Sequence, residues 1–173
     1  EKKQIHFKPS QKAAAVIFPT SGTTGASKLI QKKEGAFYWF RSFTDLVTYT
    51  GIYKQKSVFI AVPVSHGFGY TALMFSLVLG KKAVVAANKD WNQKADIILQ
   101  EKAELIAGVP TSLFYLAEKL KGKNHQVGLI ISGGAPLNQL TLDSITQSLS
   151  KNIFSMYGST EASTSFVANY AQL

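Results

Sequence analysis

Apolar residues in this chain form two kinds of run, and the two kinds alternate. One kind is short, unbroken and rich in Val, Ile, Leu and Phe. The other is longer and places apolar residues three or four positions apart. The first reads as a buried strand and the second as a helix packed by one face. Strands are predicted at 13–18, 57–62, 83–87, 105–108, 127–132, 152–157 and 164–168. Helices are predicted at 34–49, 68–79, 91–103, 111–120 and 137–149. Pro110 stands where the fourth helix begins, a position that suits its missing N–H. The 68–79 run is apolar apart from Thr71 and Ser76 and reads as a buried helix that stops at Gly80.

Strand and helix in alternation predict an α/β fold with a largely parallel sheet and helices packed on it. Residues 1–12 are polar and read as a tail or linker, and 13–173 as a single α/β subdomain. In such sheets a ligand binds beyond the carboxyl ends of the strands. Glycine-bearing loops follow predicted strands at 21–25, 133–134 and 158, and Pro63 and His66-Gly67 follow another. If those ends converge, they build one site.

Composition narrows the classes. No apolar run is long enough to span a membrane, and no signal-peptide stretch opens the chain. There are no cysteines, which removes disulfide scaffolds and thiolate metal sites and fits a reducing compartment such as the cytoplasm. The formal charge is +9, from 19 basic and 10 acidic side chains. Only Arg41 is arginine, the usual bidentate reader of guanine and phosphate, so a solvated basic surface is expected in preference to a nucleic-acid site.

The segment from Thr20 to Lys28 is the richest in candidate chemistry. Thr20, Ser21, Thr23 and Thr24 carry hydroxyls, Gly22 and Gly25 let backbone N–H groups approach a ligand, and Lys28 adds a positive charge. A charge-assisted hydrogen bond contributes roughly 1.5–3 kcal/mol, so a few such donors suffice to hold a polyphosphate. The common P-loop is excluded, because Lys28 lies between Ser27 and Leu29. A flexible surface loop is the alternative.

These residues resemble a signature of the adenylate-forming superfamily, which includes acyl- and aryl-CoA synthetases. Three further segments resemble that family's motifs and follow in its order: Pro63-Val64-Ser65-His66-Gly67, Gly133-Gly134-Ala135-Pro136-Leu137 and Tyr157-Gly158-Ser159-Thr160-Glu161. The resemblance implies a two-step reaction. A carboxylate attacks the α-phosphate of ATP, and the acyl group then passes to a thiol, commonly that of coenzyme A.

The roles it implies follow residue by residue. Thr20, Ser21, Gly22, Thr23, Thr24, Gly25 and Lys28 hold the β- and γ-phosphates. Glu161, helped by Thr20, binds Mg²⁺, and Thr160 donates to the α-phosphate. Gly133, Gly134, Ala135 and Pro136 form an edge against adenine, with Tyr157 stacked on its ring and Gly158 and Ser159 completing the loop. His66, Gly67, Phe68 and Gly133 face the acid. For His66 the alternative is a helix cap, and for Tyr157 a core tyrosine. The 68–79 helix lines an acyl pocket through Phe68, Tyr70 and Met74, or else is plain core.

Ser27 and Leu29 depart from the family's usual Pro and Gly. The family's ribose-binding aspartate, hinge and C-terminal domain with its lysine have no counterpart before Leu173. The isolated chain is therefore expected not to complete catalysis. A fatty or aromatic acid is the expected substrate and coenzyme A the expected acceptor. A carrier-protein acceptor and an inactive nucleotide-binding remnant stay open as alternatives.

Overall fold

The computed structural model describes residues 16–20, 28–32, 36–125, 127–159 and 163–173, with side chains described from Phe43 onward except at 126 and 159–165. Two sheets appear. β1 (Val16–Thr20) and β2 (Lys28–Lys32) form an antiparallel pair with Thr20 opposite Lys28. The other strands are β3 (Ser57–Ile60), β4 (Lys82–Val85), β5 (Leu105–Gly108), β6 (Leu129–Gly133), β7 (Ile153–Ser159) and β8 (Ser163–Asn169). They form one sheet in the order β4-β3-β5-β6-β7-β8, parallel except for β8.

The helices are α1 (Ala36–Thr50), α2 (Gly67–Val78), α3 (Trp91–Gln100), α4 (Pro110–Leu120) and α5 (Gln139–Ser148). From β3 the chain steps one way to β4 through α2. It then returns past β3 to β5 through α3 and continues outward through α4 and α5. Right-handed crossovers put helices of opposite direction on opposite faces. Accordingly α3, α4 and α5 pack on one face, against Phe59, Ile106, Ile130 and Ile153. Phe68, Ala72 and Leu73 of α2 pack on the other, against Val58, Ile60, Leu105 and Ile131. Burial of each such aliphatic side chain contributes roughly 1.5–3 kcal/mol.

The α/β class with a mostly parallel sheet agrees with the sequence, but three expectations change. β2 was not anticipated, and β1 pairs with it outside the six-stranded sheet, so the Ser21–Ser27 segment joins two antiparallel strands and does not follow a strand of the parallel sheet. β8 returns antiparallel to β7, with a bulge at Tyr157/Gly158. Third, α2 is only partly buried. Gly69, Phe75 and Ser76 are covered, while Leu77 and Val78 are 56% and 60% exposed.

Candidate nucleotide and acid site

The strand order reverses at β3, whose neighbours β4 and β5 are reached by connections on opposite faces. A doubly wound sheet opens a crevice at such a point, here between the carboxyl ends of β3 and β5. The two ends are held together by the Ala61 N–H, which donates to the Ala107 carbonyl at 2.8 Å.

After β3 the chain turns at Pro63, whose carbonyl accepts from the His66 N–H at 3.1 Å. His66 is the N-cap of α2, but its side chain makes no capping hydrogen bond. The imidazole therefore does not do the work that the helix-cap alternative required of it. Gly69 makes the tight turn fit, because a Cβ there would stand 2.3 Å from the Pro63 oxygen. Phe68, one position before, reaches across to β6. A Cβ on Gly133 would lie 3.3 Å from Phe68 Cζ and 3.4 Å from the Met156 carbonyl oxygen. Gly134 has φ +82°, and a Cβ on it would meet Val109 Cγ1 at 3.2 Å. The loops after β3, β5 and β6 thus touch one another through glycine contacts, and β7 joins them through Met156.

Tyr157 is 73% exposed, so it is not a core tyrosine. It shares a strand face with Ile153, which packs on the α3–α5 side. The segment leading from Gly134 to α5 lies on that side too. There Ala135 and Pro136 wall a groove of about 240 Å³ with Thr111, Phe114 and Tyr115. The described part of the site therefore offers one exposed ring beside an exposed backbone edge, an arrangement suited to a flat heterocycle.

Electrostatics agree. α3 is capped by Asp90 in a capping box with Gln93, and α5 by Asn138. α2 and α4, the helices that flank the crevice, have no side-chain cap. Their first-turn N–H groups carry the positive end of the helix dipole to the carboxyl edge, where an anion is stabilised.

Beneath α2 is a cavity of about 40 Å³ lined by Leu46, Thr50, Phe68, Thr71, Phe75 and Met156 among others. Phe68 is among its lining residues, and Tyr70 and Met74 are not. Met156 had not been singled out as a site residue. The alternation of β6 gave the signal for Met156, since Gly133 must share its face with Ile131 and hence with α2.

Of the phosphate-side residues, Thr20 and Lys28 are paired through the backbone of β1 and β2, and Ser159 ends β7. Ser21, Gly22, Thr23, Thr24, Gly25, Thr160 and Glu161 lie outside the described residues. Among the described residues no group of three or more His, Asp or Glu is placed to hold a metal, and no helix is long and apolar enough to cross a membrane.

A family model described as AMP-binding enzyme matches residues 1–172. The chain belongs to this AMP-binding family. Among its relatives, 2-succinylbenzoate–CoA ligase of Bacillus subtilis is 28% identical over 155 residues, covering 90% of this chain and 31% of that ligase. The acyl-CoA ligase cnsG of Penicillium expansum is 28% identical over 171 residues, covering 92% of this chain and 34% of cnsG. The solved o-succinylbenzoate CoA synthetase of Bacillus subtilis with its acyl-adenylate intermediate superposes with a TM-score of 0.73 at 26% identity, over 90% of this chain and 32% of that one. ATP-bound MatB from Rhodopseudomonas palustris gives 0.73 at 25% identity, over 89% of this chain and 31% of that one. This AMP-binding chain thus spans about a third of the length of the relatives it matches.

Proposed function

We propose that this chain supplies the nucleotide- and carboxylate-binding core of an ATP-dependent acid–thiol ligase that acts on an aromatic acid with coenzyme A as acceptor. The observation that carries it is the convergence of His66, Phe68, Val109, Gly133, Gly134 and Tyr157 at the carboxyl edge, beside two uncapped helix N-termini. Relatives named for 2-succinylbenzoate favour an aromatic acid over a fatty one. The apolar surface that Phe68 presents to Gly133 suits either.

A carboxylate oxygen of the acid attacks the α-phosphorus of ATP, and the bond to pyrophosphate breaks. The thiol sulfur then attacks the acyl carbon and AMP leaves. Adenine lies between the Tyr157 ring and the Gly134–Pro136 backbone, an edge whose shape depends on the positive φ of Gly134. His66 orients the carboxylate. It need not act as a base, since a carboxylate has no proton to lose at neutral pH. Charge grows on the phosphate oxygens during the first step. Thr20, Ser21, Thr23, Thr24, Lys28 and Thr160, with the N–H groups of Gly22 and Gly25, donate to them. Mg²⁺ would be held by Glu161 with Thr20. This oxygen-only donor set fits an ion that takes one or two carboxylates and leaves its other positions to phosphate and water. When bound, Mg²⁺ supplies charge neutralisation on the triphosphate.

Because the relatives are about three times longer, we infer that the chain alone binds ATP weakly and does not turn over. The test is a product assay by mass spectrometry on the protein that carries this chain, with ATP, Mg²⁺, coenzyme A and a panel of aromatic and fatty acids. AMP and an aryl thioester are the expected products. AMP formation that requires no carboxylic acid, or a panel with no product at all, refutes the reading.

A further inference from the structure

Lysines gather on the edge of the sheet opposite the candidate site. Lys54 and Lys56 precede β3, Lys82 opens β4, Lys102 precedes β5, Lys123 precedes β6 and Lys151 precedes β7, and all are exposed. The strand starts are nearly in register: Ser57 lies opposite Lys82, Val58 opposite Leu105, Leu105 opposite Leu129 and Ile130 opposite Ile153. With strands spaced about 4.8 Å apart, the row extends roughly 20 Å along one edge.

The acidic groups on this edge offset it only in part. Glu101 is bridged to Lys82. Glu104 accepts from the Lys56 N–H and lies beside Lys81. By contrast, the described loops at the carboxyl edge, 61–66, 86–90, 109–110 and 134–138, contain only Lys89 and Asp90 as acidic residues or lysines. A basic balance that served to attract ATP would sit at that edge instead.

One end of the lysine row is also apolar. Tyr53 and Leu77 are each 56% exposed and Val78 is 60% exposed. Tyr53 adjoins the lysines directly, and Leu77 and Val78 end the helix just before Lys81 and Lys82 in the chain. The Lys81 ammonium donates to the carbonyls of Tyr53 and Gln55, the Lys82 N–H donates to the Lys56 carbonyl, and the Lys54 ammonium stands 5.7 Å from the centre of the Tyr53 ring.

We propose that this edge docks the protein on an anionic lipid bilayer. The lysines lie among the headgroups, and Tyr53, Leu77 and Val78 dip into the interface. Lysine is a hydrated point charge that suits mobile headgroups, whereas phosphate forks and guanine edges favour arginine, which this row lacks. Leu77 and Val78 enter a bilayer interface but offer no flat face to a base, and Tyr53 supplies one ring where a single-strand groove stacks successive bases, so the row fits lipid better than nucleic acid. Docked this way, the carboxyl edge faces the aqueous side, open to ATP.

The test is co-sedimentation of the 173-residue chain with vesicles of phosphatidylcholine plus phosphatidylserine, and of phosphatidylcholine alone. Preference for the anionic vesicles is expected. Each lysine brought to an anionic surface gives roughly a fivefold gain in binding, so Lys54→Gln/Lys56→Gln/Lys123→Gln should weaken it about a hundredfold. Leu77→Ser/Val78→Ser should weaken it while keeping the preference for phosphatidylserine. Lys89→Gln, on the opposite edge, should leave binding unchanged, and circular dichroism verifies that each variant is folded. Equal binding to both vesicle types, no binding to either, a triple variant that binds like the parent, or a Lys89→Gln loss as large as that of Lys56→Gln each overturns the proposal. Duplex DNA or RNA bound more tightly than the anionic vesicles at the same salt assigns the row to nucleic acid instead.

Discussion

Gly69 is where packing at the candidate site is tightest, and two glycines in the first turn of α2 separate its causes. A Cβ on Gly69 would lie 2.3 Å from the Pro63 oxygen, 2.8 Å from the Pro63 carbonyl carbon and 3.1 Å from Val62 Cγ2. Ordinary contact begins at 3.4 Å, so Gly69→Ala requires a backbone shift of about 1.1 Å. The atoms in the way are main chain and cannot rotate aside. Overpacking of this kind costs about 1–3 kcal/mol. Moving the Pro63 carbonyl also weakens its hydrogen bond from His66, a further loss of roughly 1 kcal/mol. Alanine in a helix returns roughly 1 kcal/mol relative to glycine. The net expectation is a loss of about 1–3 kcal/mol. Gly67 has nothing within 4 Å of its hypothetical Cβ among the described residues. Gly67→Ala should therefore be neutral or stabilise by up to about 1 kcal/mol. Urea unfolding followed by circular dichroism measures both. A Gly69→Ala chain as stable as the parent, or a Gly67→Ala chain that loses as much, refutes the packing argument.

Other consequences are smaller in scale. Tyr157→Ala should leave stability within about 0.5 kcal/mol, because the ring is largely exposed. In the protein that carries this chain it should weaken ATP binding about tenfold, the scale of one stacking contact, as read by calorimetry. The Ser132 hydroxyl is fully buried with no hydrogen-bond partner among the described residues, so Ser132→Ala should be neutral or mildly stabilising by denaturant titration. Desolvation holds Lys81 below the usual lysine pKa, partly offset by the charge of Glu104. The folded chain thus releases this proton at lower pH than the unfolded chain does. Through Lys81, stability should rise as pH climbs through the lowered folded value toward the ordinary one. The difference in alkaline pH–stability slope between the parent and Lys81→Gln checks the sign, and a steeper rise in the variant contradicts it.

The strands of the main sheet were legible because β3, β5 and β6 are buried on both faces and read as unbroken apolar runs. The Asp90 to Gln93 spacing marks the start of α3 in the same local way. Strand order was not legible, since nothing in a connecting helix's own sequence states which side of β3 it crosses to. β2 was missed because Lys28-Leu29-Ile30-Gln31-Lys32 is short and polar-ended, and its strand character depends on pairing with β1. The apolar surface of α2 implied full burial, yet its last turn is exposed beside the lysines. Motif order led us to expect residues 133–136 and 157 at one edge, whereas the contacts they make there required the fold. No spacing rule placed Phe68 on Gly133 or Val109 on Gly134.

The chain has no cysteine, which makes a cross-linking experiment clean. The account requires the segment between β1 and β2 to stand beside the end of β7, so that both reach one triphosphate. Thr24→Cys and Ser159→Cys, together in one chain and each fully labelled when alone, should be joined intramolecularly by a short bismaleimide, and faster with ATP and Mg²⁺ present. Full modification of both thiols without a cross-link would contradict the account.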